Sequence, residues 1–242
     1  MQPRSARANL DPRTLDVRTG INIHAEGSAL VELGNTRVQA TVSLEARLPP
    51  HLRNVKGAGG WLTAEYSMLP RSTSQRRPRE RLYSGGRTQE IQRLISRSLR
   101  TVTRLDLFPG QTLWVDVDVL QADGGTRCAG IIAGYAALTE LAERLVFDGK
   151  LSEWPLSAEI AAVSVGLIGT ETRLDLDAEE DAACSIDLNV VATGAGEIIE
   201  VQGGSEAAPL AAETYVKLIG AGVSGVARLL ERLRPQLGAT RA

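Results

Sequence analysis

The stretch QTLWVDVDVLQADGGTRCAG, residues 111–130, contains a strand pattern, a glycine turn and the start of a helix. Apolar and polar residues alternate from Leu113 to Val119, a period typical of a half-buried strand. Two glycines follow, and an apolar helical pattern then runs over about 129–146. Because the first N–H groups of a helix have no partners within it, a strand that turns through glycine into a helix is suited to bind an anion.

A second stretch, SGGRTQEIQRL at residues 84–94, also has two glycines followed by an arginine and a threonine, here in the reverse order, before a helical pattern. An arginine guanidinium binds two phosphate oxygens at once, and glycine lets the backbone approach a ligand closely. The two turns together predict a bound inorganic phosphate, held by Arg87, Gly125, Thr126 and Arg127. Either turn alone would favour a simple tight connection. No G-x-x-x-x-G-K-S/T motif occurs, which argues against an NTPase.

Positive charge is concentrated between Arg71 and Arg104, where ten arginines and two acids give a charge of +8. The whole chain carries −2, so the remainder carries −10. Such a block is typical of a surface that binds the phosphates of a nucleic acid. A solvated basic face, or ion pairs between subunits, would give the same pattern. Aromatic residues make up only 4% of the chain, so backbone contacts are expected to outweigh base stacking.

An acidic run, DLDAEEDAACSIDLNV at residues 175–190, contains six carboxylates and no base. Carboxylates that hold Mg²⁺ beside phosphates would reconcile this run with an anionic ligand. Glu179 and Glu180 are typical of a solvated acidic loop. Asp187 differs, because it lies inside an apolar strand pattern, where an unpaired carboxylate is costly.

The composition excludes several classes of protein. Two histidines and two widely separated cysteines argue against a zinc site and against a Ser-His-Asp hydrolase. No apolar segment is long enough to span a membrane, and the first residues lack a charged region followed by an apolar one, so we expect no signal peptide. We therefore expect a cytoplasmic protein with reduced thiols and no membrane partner.

The order of the predicted elements indicates an α+β fold with two similar halves, each made of strands followed by a helix. A hairpin is predicted at Gly34 and Asn35, and a helix from Thr88. The predicted elements of the second half are strands at 159–168, 172–177, 185–193 and 197–202 and a helix at about 209–234. We expect one domain, 1–242, with an N-terminal arm (1–14), a first half (about 15–150) and a second half (about 151–242).

Long motifs follow one another along nearly the whole chain: HAEGSALVELGNTRV, GWLTAEYSMLPRST, GGRTQEIQRLISRSLR, DVDVLQADGGTR, AAVSVG, DLDAEEDAACSIDLNVV and IIEVQGGSE. Together they resemble the ribonuclease PH family of phosphorolytic 3′→5′ exoribonucleases, also called tRNA nucleotidyltransferases. The resemblance implies mixed sheets packed with helices in two β-α halves, related to a ribosomal-protein domain fold. It also implies a homo-hexameric ring built as a trimer of dimers.

The resemblance implies roles for particular residues. Those that match the family's phosphate site are Arg87, Gly125, Thr126 and Arg127. Those that match its catalytic acidic pair are Asp181 and Asp187. We expect Asp187 to hold Mg²⁺ or Mn²⁺, and Asp181 either to share the metal or to donate a proton, two roles that the sequence does not separate. Those that match its RNA contacts are Arg71, Arg76 and Arg79.

The reaction implied is attack of phosphate on the last phosphodiester of an RNA 3′ end, such as that of a tRNA precursor, with release of a nucleoside 5′-diphosphate. The reverse addition of nucleotides is also expected. Two segments depart from the family pattern. The usual Arg-Pro-Asp-Gly-Arg opening is represented by Arg7 and Arg13, which leaves the role of the arm open. The usual Thr-His-Thr-Arg reads Thr-Ser-Gln-Arg at residues 73–76.

Two other classes of function compete with this one. A non-catalytic RNA-binding ring subunit of an exosome-like assembly would need the basic surface but neither Asp181 nor Asp187. A small-molecule kinase of related fold would need a nucleotide loop rich in glycine and serine, which the chain lacks.

Overall fold

The first half of the chain forms a five-stranded sheet. A computed structural model describes residue 4 and residues 7–79, 85–205 and 209–238. The strands are β1 (Leu15–Thr19), β2 (Gly27–Leu33), β3 (Thr36–Glu45), β4 (Trp61–Met68) and β5 (Thr112–Gln121). Their order is β1-β2-β3-β5-β4, and only β4 and β5 are parallel. Helix α1 (Gly86–Val102) supplies the crossover that a parallel pair requires.

The second half forms a four-stranded antiparallel sheet. Its strands are β6 (Ile160–Ile168), β7 (Glu171–Leu174), β8 (Ile186–Thr193) and β9 (Ile198–Ser205), in the order β7-β6-β8-β9. A short helix, α3 (Ala178–Ala183), connects β7 to β8, and helix α4 (Ala212–Leu233) packs on β6 and β8. Two 3-10 turns are also present, Leu105–Leu107 and Arg234–Gln236.

Helix α2 (Thr126–Phe147) contacts both sheets, packing on β2 and β3 of the first and on β6 of the second. It is buried along most of its length, as expected for a helix that is apolar on all sides. Because α2 joins the two halves, the glycine turn at its N-terminus lies at the boundary between them.

The predicted α+β class with two strand-and-helix halves is confirmed. The hairpin turn at Gly34 and Asn35 joins β2 to β3, also as predicted. These features are local in the sequence, and each produces its own hydrophobic period or turn signal.

Several boundaries differ from the predictions by up to three residues; for example, β9 ends at Ser205 instead of residue 202, and α4 begins at Ala212 instead of about residue 209. Helix α1 begins at Gly86 instead of Thr88, and α2 begins at Thr126 instead of about residue 129. The first turn of each helix carries polar residues, so the apolar pattern begins only after it. Strand β7 ends at Leu174, because Asp175 takes a positive φ of 52° that breaks the strand. Strand β1 and helix α3 were not predicted.

One prediction about the acidic run after β7 is wrong, that of a solvated loop at Glu179 and Glu180. Glu179 is exposed, but Glu180 is buried within α3 and is not part of a solvated loop. The Asp177 carboxylate caps α3 by accepting hydrogen bonds from the N–H groups of Glu179 and Glu180. Arg4 and Arg173 form ion pairs with Glu180. Burial alone would raise the pKa of the Glu180 carboxyl, but the hydrogen bond and charge of Arg4 lower it.

A buried ion pair joins the N-terminal arm to the second half. Asp175 is fully buried, and Arg13 is only 8% exposed. One carboxylate oxygen of Asp175 accepts from the backbone N and Nε of Arg13 at 2.7 and 2.9 Å, and the other accepts from Nη2 at 2.7 Å. Arg13 Nη1 donates to the Asp123 carbonyl at 2.5 Å, directly before the glycine turn. The arm, of which residues 1–3, 5 and 6 lie outside the described residues, therefore connects the two halves beside that turn.

We predict that Asp175→Asn lowers the free energy of unfolding by about 3–5 kcal/mol, because the Arg13 guanidinium stays buried without its counter-charge. Asn tolerates the positive φ at this position as Asp does, so backbone strain does not confound the result. Urea denaturation measures the change. The matched control is Asp16→Asn, which removes one carboxylate from an exposed pair with Arg18 and should cost at most about 1 kcal/mol. Equal stability losses in the two variants would contradict the prediction.

Candidate phosphate-binding and catalytic site

A cavity of about 530 Å³ lies between the two halves, and we call it the central cavity. Its walls come from separate parts of the chain, which include the segment after β4, the start of α1, the turn before α2, helix α3 and strands β6 and β8. The lining includes all six residues predicted to bind phosphate or to catalyse: Arg87, Gly125, Thr126, Arg127, Asp181 and Asp187. The fold therefore brings together two glycine turns and two acids that are distant in the sequence.

The turn before α2 requires glycine for two reasons. Gly124 and Gly125 both take positive φ, 73° and 65°, which other residues rarely adopt. A Cβ on Gly124 would also lie 2.4 Å from the Leu176 carbonyl oxygen, so the second half can approach only a glycine here. No side chain caps the start of α2, and its first N–H groups are therefore available to an anion in the central cavity.

Thr126 is held by a residue that sequence reasoning missed. The Tyr66 hydroxyl, on β4, donates to Thr126 Oγ1 at 2.9 Å. Burial raises the pKa of Tyr66 despite the positive charges of Arg87 and Arg127 nearby, so the phenol stays protonated. Since Thr126 Oγ1 accepts from Tyr66, its own proton is free to point toward a ligand oxygen.

The two arginines of the cavity differ in how they are held. Arg127 Nη1 donates to Gln202 Oε1 on β9 at 2.9 Å, and it lies 3.6 Å from Glu90 Oε1. These contacts fix the Arg127 guanidinium across the boundary between the halves. Arg87 is exposed and forms no ion pair with any residue that the structure describes. Residues 80–84, which include Arg81 and Ser84 of the predicted basic segment and turn, lie outside the described residues.

Strand β8 presents Asp187 to the central cavity between two glycines. Its cross-strand neighbours are Gly166 on β6 and Gly204 on β9. A Cβ added to Gly204 would have no atom within 4 Å, so the space beside the Asp187 carboxylate is open on that side. Cys184 lines the same cavity, and burial together with the negative charges of Asp187 and Asp181 raises the pKa of its thiol to about 11.

The two carboxylates of the cavity suit a divalent cation whose remaining ligands are substrate phosphates and waters. No group of three or more His, Cys, Asp or Glu side chains among the described residues could hold a metal ion. Two carboxylates, Asp181 and Asp187, line the same cavity as the candidate phosphate turn. Mg²⁺ is usually bound by one or two carboxylates together with substrate phosphates and waters, so this donor set suits it without a third protein ligand.

The three predicted RNA arginines are not part of the cavity wall. Arg71, Arg76 and Arg79 are exposed on the segment after β4. Of that segment, Thr73 and Arg77 line the central cavity instead. The segment thus forms one rim of the cavity, and Arg77 is the arginine of this segment that lines it.

Four arginines recur at helical spacing, Arg93, Arg97, Arg100 and Arg104. The first three lie on α1, Arg104 follows its end, and three of the four have partners within the chain. Arg97 lies 3.6 Å from Glu200, and Arg104 pairs with Glu153 at 2.5 Å. Arg100 stacks over the Trp61 ring at 4.5 Å and donates to the Leu62 carbonyl. Among the described residues only Arg93, of these four arginines, has no such contact.

Two family models match the chain: the first domain of the 3′ exoribonuclease family over residues 11–142 and the second domain over residues 158–225. The ribonuclease PH of Deinococcus radiodurans is 51% identical over 234 residues, which cover 97% of this chain and 94% of that protein. The ribonuclease PH of Exiguobacterium sibiricum is 47% identical over 236 residues, with the same coverage.

Two solved structures share the fold at low sequence identity. One is an Archaeoglobus fulgidus exosome with RNA bound to the active site, with a TM-score of 0.78, 22% identity, and coverage of 93% of this chain and 90% of that one. The other is rice (Oryza sativa) Rrp46, with a TM-score of 0.75, 21% identity, and coverage of 96% and 99%.

We predict that Arg87→Ala weakens the binding of inorganic phosphate about 10- to 100-fold, because a hydrogen bond to a charged group contributes about 1.5–3 kcal/mol. Calorimetric titration with phosphate measures this. Arg93→Ala is the matched control, since it removes an exposed arginine from the same helix outside the cavity. Equal affinities for Arg87→Ala and wild type would remove α1 from the phosphate site.

Proposed function

The chain belongs to the 3′ exoribonuclease family, and from that membership and the central cavity we infer that it is an exoribonuclease of the ribonuclease PH type. It removes nucleotides one at a time from RNA 3′ ends, in tRNA processing, by transferring them to inorganic phosphate. The observation that supports this function is that two arginines, a glycine turn and two carboxylates line one cavity.

The phosphate turn aligns the nucleophile. Arg87, Arg127 and the first N–H groups of α2 bind inorganic phosphate, and Thr126 adds a hydroxyl donor. An oxygen of this phosphate attacks the phosphorus of the last phosphodiester, and the bond to the 3′ oxygen breaks. The products are a nucleoside 5′-diphosphate and an RNA whose 3′ oxygen has taken up a proton. The reverse reaction adds a nucleotide from a diphosphate.

A histidine base is unnecessary because the attacking phosphate is already anionic. The main barrier is the crowding of negative charge between two phosphates, which arginines and helix N–H groups relieve. Both histidines, His24 and His51, lie outside the central cavity, which agrees with this chemistry.

The carboxylates act on the leaving group, the 3′ oxygen of the RNA. Asp181 and Asp187 would hold Mg²⁺ or Mn²⁺, which when bound stabilises negative charge on the departing 3′ oxygen. The retention of both carboxylates beside the phosphate turn supports a catalytic subunit over a ring subunit that only binds RNA.

RNA is held by its backbone. Arg71, Arg76 and Arg79 are exposed beside the cavity rim formed by Thr73 and Arg77, and their guanidinium groups contact phosphates of the RNA 3′ end. Binding by charge alone carries no base preference.

The oligomer we propose is a homo-hexamer built as a trimer of dimers, in the cytoplasm. No helix in the described part of the chain is long and apolar enough to cross a membrane. Closed rings are common among homo-oligomers.

We predict that Asp187→Asn abolishes phosphorolysis and the reverse polymerisation together, because both pass through one transition state. Activity with a 3′-extended tRNA in each direction measures this, while thermal stability and RNA affinity stay near wild type. The control is Glu179→Gln, an exposed acid of the same run, which should keep full activity. An Asp187→Asn protein that unfolds readily, yet is fully active when folded, would make Asp187 a structural residue.

We predict that Arg71→Ala, Arg76→Ala and Arg79→Ala each reduce the slope of log affinity against log salt by ~0.7, as expected for one lost phosphate contact on single-stranded RNA. Fluorescence titration with RNAs of two different sequences, at several salt concentrations, gives the slope. Arg18→Ala, in a surface ion pair on β1, should leave the slope unchanged. A loss confined to one RNA sequence would indicate base contacts instead.

We predict that light scattering gives a mass of about six times the 25.9 kDa of one chain. An active species with the mass of a single chain would refute the ring.

A further inference from the structure

Asn189 lies in the wall of the central cavity, two residues after Asp187 on β8 and therefore on the same face of the strand. It is only 6% exposed. Its cross-strand neighbours are Ser164 on β6 and Gln202 on β9, the residue that holds Arg127. Asn189 thus stands between the side of the cavity that carries Arg127 and the side that carries Asp187.

The Asn189 amide is oriented by a buried thiol. Cys128 Sγ, the residue after Arg127, donates to Asn189 Oδ1 at 3.3 Å. Cys128 is 1% exposed, and burial raises the pKa of its thiol to about 12, so the thiol keeps its proton and remains a donor. With Oδ1 bound to the thiol, the Nδ2 group is turned away from Cys128.

The Nδ2 group has no acceptor among the residues that the structure describes. Although the residue is more than nine-tenths buried, Nδ2 is not among the enclosed polar atoms that lack a partner, so this donor is accessible from the central cavity. Here the amide faces a cavity whose other polar groups are suited to phosphates. A ligand oxygen is the acceptor that the described residues do not supply.

We propose that Asn189 is a substrate-binding residue whose Nδ2 donates a hydrogen bond to a phosphate oxygen in the central cavity, and that Cys128 is the positioning residue that turns the amide toward it. The proposal rests on the proposed function. It adds to that function a neutral hydrogen-bond donor, which lies between Arg127 and Asp187 in the central cavity. A neutral amide adds a hydrogen bond there without forming an ion pair with Asp187, which stays available to a cation.

Asn189→Asp tests the proposal, because it keeps the shape of the side chain and replaces the donor by an oxygen that repels phosphate. We expect kcat/KM for phosphorolysis to fall at least 10-fold, with the melting temperature close to wild type. A rise in KM for inorganic phosphate, matched by weaker phosphate binding in calorimetry, assigns the contact to the attacking phosphate. A fall in kcat with unchanged phosphate affinity assigns it to the scissile phosphate of the RNA.

Asn189→Ala covers the case in which the aspartate variant fails to fold, and it should show the same loss with a smaller magnitude. The positioning role is tested at Cys128. Cys128→Ser keeps a donor and should stay within about 3-fold of wild type, whereas Cys128→Ala should lose activity. In the Asn189→Ala background, Cys128→Ala should add no further loss.

Folded variants of Asn189 with wild-type kcat, KM and phosphate affinity would overturn the proposal. Additive losses from Cys128→Ala and Asn189→Ala would overturn the positioning role. These results are distinct from a failure of the proposed function, which would appear as an absence of phosphate-dependent nucleotide release by the wild-type protein.

Discussion

The buried ion pair between Arg13 and Asp175 is the contact on which the arrangement of the site depends. It connects the N-terminal arm to the end of β7, and the same guanidinium donates to the Asp123 carbonyl before the glycine turn. A buried pair of this kind adds little net stability over apolar packing, but it is costly to break from one side. Its main effect here is to fix where the second half meets the turn that begins α2.

The contact between the second half and the turn before α2 explains why this turn consists of glycines. With the Leu176 backbone against Gly124, only a residue without a Cβ fits, and two positive φ angles then direct the chain into α2. The helix start, Thr126 and Arg127 are thereby placed in the same cavity as Asp181 and Asp187, which follow Asp175 along the chain. Packing between the halves and the chemistry of the cavity therefore share one set of residues.

The sequence was sufficient for the fold class and for the charged members of the site, because the glycine turns, the arginine block and the acidic run are local signals. It was insufficient where a residue's role depends on partners far along the chain. Glu180 looked solvated because the arginines that surround it lie in the N-terminal arm and on β7. Tyr66 and Gln202 looked like ordinary strand residues until β4 and β9 were placed beside the turn. Asn189 did carry a signal, as a second polar residue on the face of Asp187 within an apolar strand.

The central claim is that phosphate, and not water, attacks the RNA in the central cavity. It is tested most directly by incubating the wild-type protein with a 3′-extended tRNA, with and without inorganic phosphate, and identifying the released nucleotides by chromatography. The account predicts nucleoside 5′-diphosphates when phosphate is present and no release when it is absent. Release of nucleoside monophosphates without phosphate would show hydrolysis and would contradict it.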